Sequence, residues 1–219
     1  INLVLSITVI DDSHIAAATV DGYYIIDKKT HRAVQYASSQ EQVHHNVSTY
    51  IIPMLFNSDG TVWLGTEGGG LNLYDPKKRK ILRSYKSSDG LPSNDIYGLL
   101  ADEHKRLWVS TGNGIAVIKD SIVSSLNYLK GVEKEYNKSA ATRLKCGDFI
   151  FGGISGAVRI SPSEINMVNY PAPLRITGFV IDGISEEKKE ELTPHIHKGL
   201  EAGYIRLAYK QNTFTVNFE

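Results

Sequence analysis

The feature that most constrains this chain is a stretch of alternating turn signals and short apolar runs, NSDGTVWLGTEGGGLNLYD, at residues 57–75. Asp59-Gly60 readily adopts the positive φ angles of a tight hairpin turn, and the three glycines at 68–70 supply such angles again after the run that contains Trp63. Turns that alternate with short apolar runs predict two hairpins in succession. We therefore expect this unit to be a meander of short antiparallel strands.

The same arrangement recurs three more times along the chain. The position of Trp63 is matched by Trp108, Ile150 and Ile15, at intervals of 48, 45 and 42 residues in chain order. A small residue lies two positions after each of them, and a second glycine precedes the next run. The small residues are Ala17, Gly65, Ser110 and Gly152, and the glycines are Gly22, Gly70, Gly114 and Gly156. A repeat of this length with four strand-like runs is typical of a β-propeller blade.

The runs within a copy differ in character. The second and third runs are apolar on both faces, as expected for strands enclosed between neighbouring blades, whereas the fourth run is mixed, as at 81–85. Pro53 lies in the first run of its copy, and since proline cannot donate a ladder hydrogen bond, it suits an edge strand that faces an open channel. Residues 122–129 are consistent with an outer strand or with a helical turn, and the fourth copy has no clear outer strand.

After residue 165 the pattern changes. Residues 173–183 predict one strand, and residues 205–219 place Leu207, Tyr209, Phe214, Val216 and Phe218 on one face around a turn at 211–212. This period of two indicates antiparallel sheet. We therefore predict an all-β fold, with a partial β-propeller of about four blades of four-stranded antiparallel sheet at 1–165. The start of an Ig-like β-sandwich, truncated at the end of the chain, is expected at 166–219.

Charge and composition argue against several classes of function. Lysine plus arginine and aspartate plus glutamate number 24 each, so the chain lacks the positive excess of a nucleic-acid or membrane-surface binder. Cys146 is the only cysteine, which excludes a disulfide within the chain and a paired-cysteine metal site. The longest apolar run is about eight residues, whereas a membrane helix needs roughly 20.

Several segments resemble a known family. DGTVWLGTEGGGLNLYD at 59–75 and DGLPSNDIYGLLAD at 89–102 resemble the two-component regulator propeller repeat. FGGISGAVRISPSEI at 151–165 resembles the terminal repeat of such propellers. Residues 173–183 and 205–219 are similar to the opening of the β-sandwich that follows them, which is named for its three tyrosines. Together these resemblances cover nearly the whole chain.

The resemblance implies the periplasmic sensor region of a hybrid two-component system. Such membrane receptors detect oligosaccharides and activate a cytoplasmic histidine kinase, which regulates polysaccharide-utilisation genes. Their two seven-bladed propellers precede the sandwich, so we expect this chain to be a non-enzymatic fragment of the ectodomain of an inner-membrane protein. The implied partners are an oligosaccharide and, through the sandwich, a second copy of the chain. No cofactor and no nucleic acid are expected, and the membrane is reached only through segments outside this sequence.

Two alternatives to a sensor remain open. A propeller lyase or hydrolase acting on a polysaccharide would need a cluster of histidine, tyrosine, arginine or carboxylate side chains on one face. A structural scaffold would need an extended apolar or charged outer surface. Neither alternative is supported by a clear sequence motif: Gly153-Ile154-Ser155-Gly156, for example, lacks the spacing of a nucleophile elbow.

Ligand contacts are expected from loops at one end of the channel. The turns between the second and third strands contribute Glu67 and Asn113, and the connections between blades contribute His44, His45, Ser93, Asn94 and Asp95. Short amide, hydroxyl and carboxylate groups, which most of these residues carry, suit a polyhydroxylated ligand. The alternative for each is an ordinary turn role, and for Asn94 and Asp95 it is a side-chain turn that begins the inner strand.

Other conspicuous side chains are expected to be structural. Trp63 and Trp108 recur at equivalent strand positions, which indicates packing between blades rather than stacking on a sugar. His195 and His197 would share one strand face, but no third ligand is suggested by the spacing, so no metal site is predicted. No catalytic residue is predicted.

Overall fold

The structure is a computed structural model that describes residues 3–39, 48–127, 131–132, 134–165, 176–181 and 214–218. The chain forms two compact units, Ile1–Met167 and Val168–Glu219. No helical segment within the described ranges combines the length and the hydropathy needed to cross a bilayer.

The first unit consists of four consecutive antiparallel meanders, which we call blades one to four. Blade one contains β1 (Val4–Val9), β2 (His14–Thr19), β3 (Tyr23–Asp27) and β4 (Ala33–Tyr36), and blade two contains β5 (Ile51–Phe56), β6 (Val62–Thr66), β7 (Leu71–Asp75) and β8 (Lys80–Tyr85). Blade three contains β9 (Ile96–Ala101), β10 (Leu107–Thr111), β11 (Gly114–Lys119) and β12 (Ile122–Ser125), and blade four contains β13 (Tyr136–Arg143), β14 (Phe149–Gly153) and β15 (Ala157–Ile160). Short 3-10 turns follow blades two and four, at Ser87–Asp89 and Pro162–Glu164.

The first strands of the four blades border a common central channel. Residues of β1, β5, β9 and β13 line it together, among them Ser6, Pro53, Gly98 and Ala141. Pro53 therefore occupies the inner edge strand that the sequence predicted. This arrangement confirms the predicted partial β-propeller.

The ends of blades three and four are the two places where the sequence pattern was irregular. Residues 122–125 form the outer strand of blade three, and so the alternative of a helical turn there is wrong. Blade four has three strands among the described residues, and the absence of an outer strand there stays a prediction because residues 166–175 lie outside them.

Three apolar clusters fill the spaces between successive blades. The first joins blades one and two around Tyr23, Leu64 and Tyr74. The second joins blades two and three around Leu71, and the third joins blades three and four around Trp108. The core of this unit is thus a series of sheet-on-sheet interfaces, because each blade is too thin to enclose a core of its own.

The two tryptophans belong to these interfaces, as predicted. Trp108 is 0% exposed and meets the ring of Phe149 in blade four edge to face, with 5.6 Å between ring centroids. Trp63 packs against the cluster between blades two and three and lies beside Tyr85. Both side chains therefore contribute to blade packing.

Small residues occupy the places where neighbouring blades approach most closely. A Cβ atom on Gly65 would lie 2.6 Å from Cγ2 of Ile96 in the next blade, and one on Gly98 would lie 2.7 Å from Cβ of Ala141. Both distances are too short for carbon atoms, so β6 can approach β9, and β9 can approach β13, only because these positions lack side chains.

The predicted equivalence of Ile15 with the tryptophans is wrong by one residue. The hydroxyl of Thr19 donates to the carbonyl of Gly22 just as Thr66 bonds Gly70 and Thr111 bonds Gly114. Counting back from these threonines makes Ala16, not Ile15, the counterpart of Trp63, and Ala16 faces blade two. The error arose because the glycine turn is one residue longer in blade two than in blade one.

The turns of the repeat unit also differ in detail from the prediction. Gly60, Gly68 and Gly70 have positive φ angles of 86°, 76° and 76°, but Gly69 and Asp59 do not. Asp59 instead accepts hydrogen bonds from the backbone N–H and the hydroxyl of Thr61. A single left-handed glycine after a three-residue loop therefore closes this hairpin.

The second unit contains two described strands, β16 (Ile176–Ile181) and β17 (Phe214–Phe218), which pair antiparallel from Ile176 opposite Phe218 to Ile181 opposite Phe214. Both strands lie where the sequence predicted antiparallel sheet. Leu207, Tyr209 and the turn at 211–212 lie outside the described residues, and the sandwich stays a prediction.

Candidate functional site

One end of the first unit gathers both kinds of loop that the sequence singled out, and we call this end the upper face. It carries the turns between the second and third strands and the connections between blades. Backbone hydrogen bonds join the two kinds of loop: Gly70 N–H donates to Asn94 O at 2.9 Å, and Gly112 N–H donates to Asp95 O at 3.0 Å. The connection between blades two and three is therefore fixed between the turns of these two blades.

The predicted residues in this region hold the loops together through their side chains. The carboxylate of Asp95 accepts the N–H of Gly68 at 2.8 Å, which ties the start of blade three to the turn of blade two. The amide oxygen of Asn94 accepts the N–H of Ser87 at 2.8 Å, and Asn113 Nδ2 donates to Pro92 O at 3.3 Å.

The side-chain turn at the start of the inner strand is made by a different residue from those expected. The hydroxyl of Ser93 accepts the N–H of Asp95 at 3.1 Å, whereas Asn94 and Asp95 bond other loops. The structure thus brings Glu67, Ser93, Asn94, Asp95 and Asn113 to one face. His44 and His45 lie outside the described residues.

Four side chains on the upper face lie close together around one ammonium group. They are Tyr50, Glu67, Tyr97 and Lys138, and we call them the lysine cluster. Nζ of Lys138 lies 2.8 Å from Oε2 of Glu67. The same ammonium lies 5.4 Å from the ring centroid of Tyr50 and 5.8 Å from that of Tyr97. Both distances fall within the range of a cation–π interaction. The cluster joins blades two, three and four at the mouth of the channel.

Strand irregularities position two members of this cluster. Ser110 pairs with Gly98 and Thr111 pairs with Ile96, so Tyr97 is the extra residue of a β-bulge in β9. The ladder of β13 is likewise interrupted between Tyr136 and Ala141. Ser139, inside that interruption, has a left-handed φ of 58°. Bulges of this kind turn side chains away from the regular alternation of a strand.

The cluster shifts the proton affinity of two of its members. The hydrogen bond to the Glu67 carboxylate raises the pKa of the Lys138 ammonium. Burial, followed by the negative charge of Asp95, raises the pKa of the Tyr97 hydroxyl. At neutral pH Lys138 is therefore cationic and Tyr97 is neutral.

The opposite end of the blades, the lower face, contains a buried ion pair. Nε of Arg106 lies 2.5 Å from Oδ2 of Asp102, and these side chains are only 7% and 5% exposed. Nε1 of Trp108 donates to the same oxygen at 2.9 Å. The remaining guanidinium nitrogens donate to the carbonyl oxygens of Ile165 at 2.8 Å and Pro162 at 2.5 Å. Blade three thus holds the segment that follows blade four.

Within the described part of the chain, no group of three or more His, Cys, Asp or Glu side chains is arranged to hold a metal ion. His195 and His197 lie outside that part.

Sequence reasoning missed three of the four members of the lysine cluster. Glu67 was identified, but Tyr50, Tyr97 and Lys138 were not, because they are strand or strand-flanking residues rather than loop residues. The available signal was an aromatic residue beside or within the start of the first strand in two successive blades. Lys138 carried no such signal.

A family model described as "Two component regulator propeller" matches residues 90–113. This segment includes Ser93, Asn94, Asp95 and Asn113 as well as Trp108. The resemblance noted in the sequence is therefore confirmed for this repeat.

A curated relative, histidine kinase P4 from Formosa agariphila, is 27% identical over 96 residues, which cover 42% of this chain and 7% of that protein. Two solved structures, both assigned as extracellular domains of hybrid two-component systems from B. thetaiotaomicron, share the fold. One has 17% identity and a TM-score of 0.56, covering 98% of this chain and 35% of that chain. The other has 20% identity and a TM-score of 0.60, covering 81% of this chain and 26% of that chain. The chain thus spans a minor part of each.

Proposed function

We propose that this chain, which carries a two-component regulator propeller repeat, is an extracytoplasmic part of a membrane-bound hybrid two-component sensor. Its ligand is an oligosaccharide, and its signal regulates genes for polysaccharide use. The similarity of its fold to extracellular domains of such systems supports the location. The match covers only 7% of the histidine kinase. Kinase activity is therefore proposed for the complete sensor and not for this chain.

The observation that carries the proposal is the convergence of polar and aromatic side chains at the mouth of the channel. Tyr50 and Glu67 come from blade two and its preceding connection, Tyr97 from blade three and Lys138 from blade four. A ligand that contacts all four side chains bridges three blades. It can therefore favour one relative arrangement of these blades over another, which is what a sensor requires.

The proton affinities favour binding over catalysis at this place. A general acid or base works best when its pKa lies near the working pH. In the lysine cluster the pKa of Lys138 and that of Tyr97 are both raised, through the Glu67 hydrogen bond and through burial respectively. Both shifts move these groups further from neutrality.

Calorimetric titration of the complete ectodomain with a panel of polysaccharide fragments tests the proposal. At least one fragment is expected to bind, and Lys138→Ala is expected to weaken its binding about tenfold through loss of charge-assisted hydrogen bonds. The matched control is Arg143→Gln, which removes an equally exposed cation from the lower face, where Arg143 pairs with Glu103 at 2.7 Å. No binding by any fragment would contradict the proposal.

The alternative of a polysaccharide lyase or hydrolase is tested with the same panel. Chromatography of each mixture after incubation is expected to show the fragments intact. Shortened or unsaturated products, lost in the Lys138→Ala or Tyr97→Phe variant, would establish an enzyme.

A further inference from the structure

Among the described residues, the charges that act most strongly on the Tyr97 hydroxyl are mostly negative. They are the carboxylates of Asp95, Glu67 and Glu135, together with the Lys138 ammonium. Lys138 is itself already paired with Glu67 at 2.8 Å. A ligand with its own carboxylate or sulfate would meet this excess of negative charge at the channel mouth, and like charges at short range are unfavourable.

The ion pair still offers hydrogen-bonding capacity to a neutral ligand. An ammonium has three N–H donors and a carboxylate has about four acceptor positions, so one mutual contact does not saturate either group. The Lys138 and Glu67 side chains are 45% and 40% exposed, which leaves both heads accessible. A strong donor and a strong acceptor held side by side match two adjacent hydroxyl groups, of which one accepts from Lys138 and the other donates to Glu67.

The tyrosine rings supply the apolar part of the same site. Tyr50 and Tyr97 are both partly buried, and Lys138 lies within 6 Å of both ring centroids. A sugar whose hydroxyls reach the ion pair would therefore bring its C–H face close to at least one ring. An aromatic surface beside a few convergent polar groups is the usual composition of a small-ligand site.

The geometry points to a subsite for one uncharged sugar residue with two adjacent hydroxyl groups, which excludes uronate and sulfated sugars from this position. This inference rests on the proposed function, because it specifies the class of oligosaccharide that the same face binds. It assigns Lys138 and Glu67 to the hydroxyl pair and the ring of Tyr97 to the sugar face.

The test compares neutral with anionic probes on the 219-residue chain and on the complete ectodomain. Calorimetry would use cello-, xylo- and manno-oligosaccharides as neutral probes, and oligogalacturonates and sulfated chondroitin fragments as anionic probes. We expect a neutral probe to bind with an affinity that changes less than about twofold when the NaCl concentration is raised tenfold, because no ligand charge is screened.

The sign of the Glu67→Gln effect is decisive. If Glu67 accepts a sugar hydroxyl, this substitution weakens the binding of the neutral probe about tenfold. If the ligand is anionic and competes with Glu67 for Lys138, the same substitution strengthens binding and overturns the inference. Glu103→Gln on the lower face removes the matching carboxylate from the Arg143 pair and is expected to change nothing.

Tyr97→Phe and Tyr97→Leu separate the ring from the hydroxyl. Retained binding in the phenylalanine variant and loss in the leucine variant support stacking on the ring, and equal loss in both contradicts it. Preferred binding of an anionic probe would overturn this inference while leaving the proposed function intact. Silence of both series in both proteins would overturn the two together.

Discussion

At the scale of single residues, Asp102 shows how one side chain can serve several partners. Its Oδ2 accepts from Arg106 Nε and Trp108 Nε1, while its Oδ1 accepts the backbone N–H groups of His104 at 2.9 Å and Arg106 at 3.0 Å. Burial by itself would raise the pKa of this carboxyl, but the hydrogen bonds from Trp108 and Arg106 together lower it. The carboxylate is thus stabilised where an unpartnered charge would be unfavourable.

Asp102→Asn is expected to destabilise the first unit by about 3–5 kcal/mol, the usual cost of breaking a buried ion pair. The new amide N–H group would face two N–H donors, and Arg106 would lose its counter-charge. Chemical denaturation followed by tryptophan fluorescence measures the change.

The control for this substitution is Glu103→Gln. Glu103 pairs with Arg143 at 2.7 Å, but its side chain is 80% exposed, so the expected loss is below about 1 kcal/mol. Equal losses in the two variants would show that the burial of the Asp102 pair has no energetic consequence.

Acid is expected to remove the stabilisation that four aspartates provide as the pH falls below about 4. The pKa values of Asp102 and of the turn residues Asp11, Asp27 and Asp75 are all lowered from 3.8; burial opposes this shift at Asp102, whereas backbone hydrogen bonds dominate in the turns. As the pH falls, these groups therefore bind protons first in the unfolded chain. Their contribution to stability is present above pH 3.8 and is lost as the pH falls through their lower pKa values in the folded state. Thermal unfolding midpoints between pH 2 and 7 check this.

The Asp102→Asn variant provides an internal comparison in the same experiment. Its difference from the natural chain should narrow as the pH falls below 3.8, because the natural carboxyl then also becomes uncharged. A constant difference down to pH 2 would contradict the assignment of the shift to Asp102.

At the scale of elements, the turn between the second and third strands contains the same hydrogen bond in three of the four blades. In blades one, two and three a threonine hydroxyl donates to a glycine carbonyl, at 2.9, 2.8 and 2.9 Å, and each of these glycines has a positive φ. The glycine is required because an L side chain rarely adopts this φ angle. In blades one and two the backbone N–H of the same threonine donates to the same carbonyl, at 2.9 and 3.1 Å, so the hydroxyl adds a second hydrogen bond to the glycine oxygen.

Thr66→Val tests this turn without changing the shape of the side chain. Thr66 is 1% exposed, so removal of its hydroxyl is expected to cost about 0.5–1.5 kcal/mol. The backbone N–H of Thr66 continues to donate to Gly70 O at 3.1 Å, so the hairpin should persist. Urea denaturation measures the loss.

Thr61→Val in the lower turn of the same blade is the comparison for Thr66. Its hydroxyl also donates locally, to Asp59, but the site is solvent-accessible and water can replace the bond. A larger loss at Thr61 than at Thr66 would contradict the role assigned to the buried turn.

At the scale of the whole molecule, stability resides in the three interfaces between blades. Each cluster takes side chains from two neighbouring blades, and the outer strands β4, β8 and β12 are mostly exposed or partly exposed. The blades are therefore expected to unfold together, because the loss of one exposes the apolar face of the next. The lysine cluster belongs to this scale as well, since it needs three blades in place.

The complete ectodomain is expected to form a homodimer through its sandwich, as the resemblance to hybrid two-component sensors implies. Light scattering over a range of protein concentrations measures the mass, and deletion of the predicted sandwich, from residue 168 onward, should yield a monomer. A monomeric ectodomain at the highest concentration would contradict this expectation.

The sequence alone determined the blades, because their signals are local. Turn residues such as Gly60 and the paired apolar runs each act within one hairpin, and the recurrence of Trp63 at Trp108 shows that the same unit is repeated. The tertiary structure alone decided which repeat positions are truly equivalent, since a one-residue difference in turn length moves Ala16 into the place assigned to Ile15. It alone also assembled Lys138 with Glu67, 71 residues apart in sequence. Such contacts depend on the curvature of stacked sheets and on bulges in their inner strands, and neither property is encoded in a single stretch of the chain.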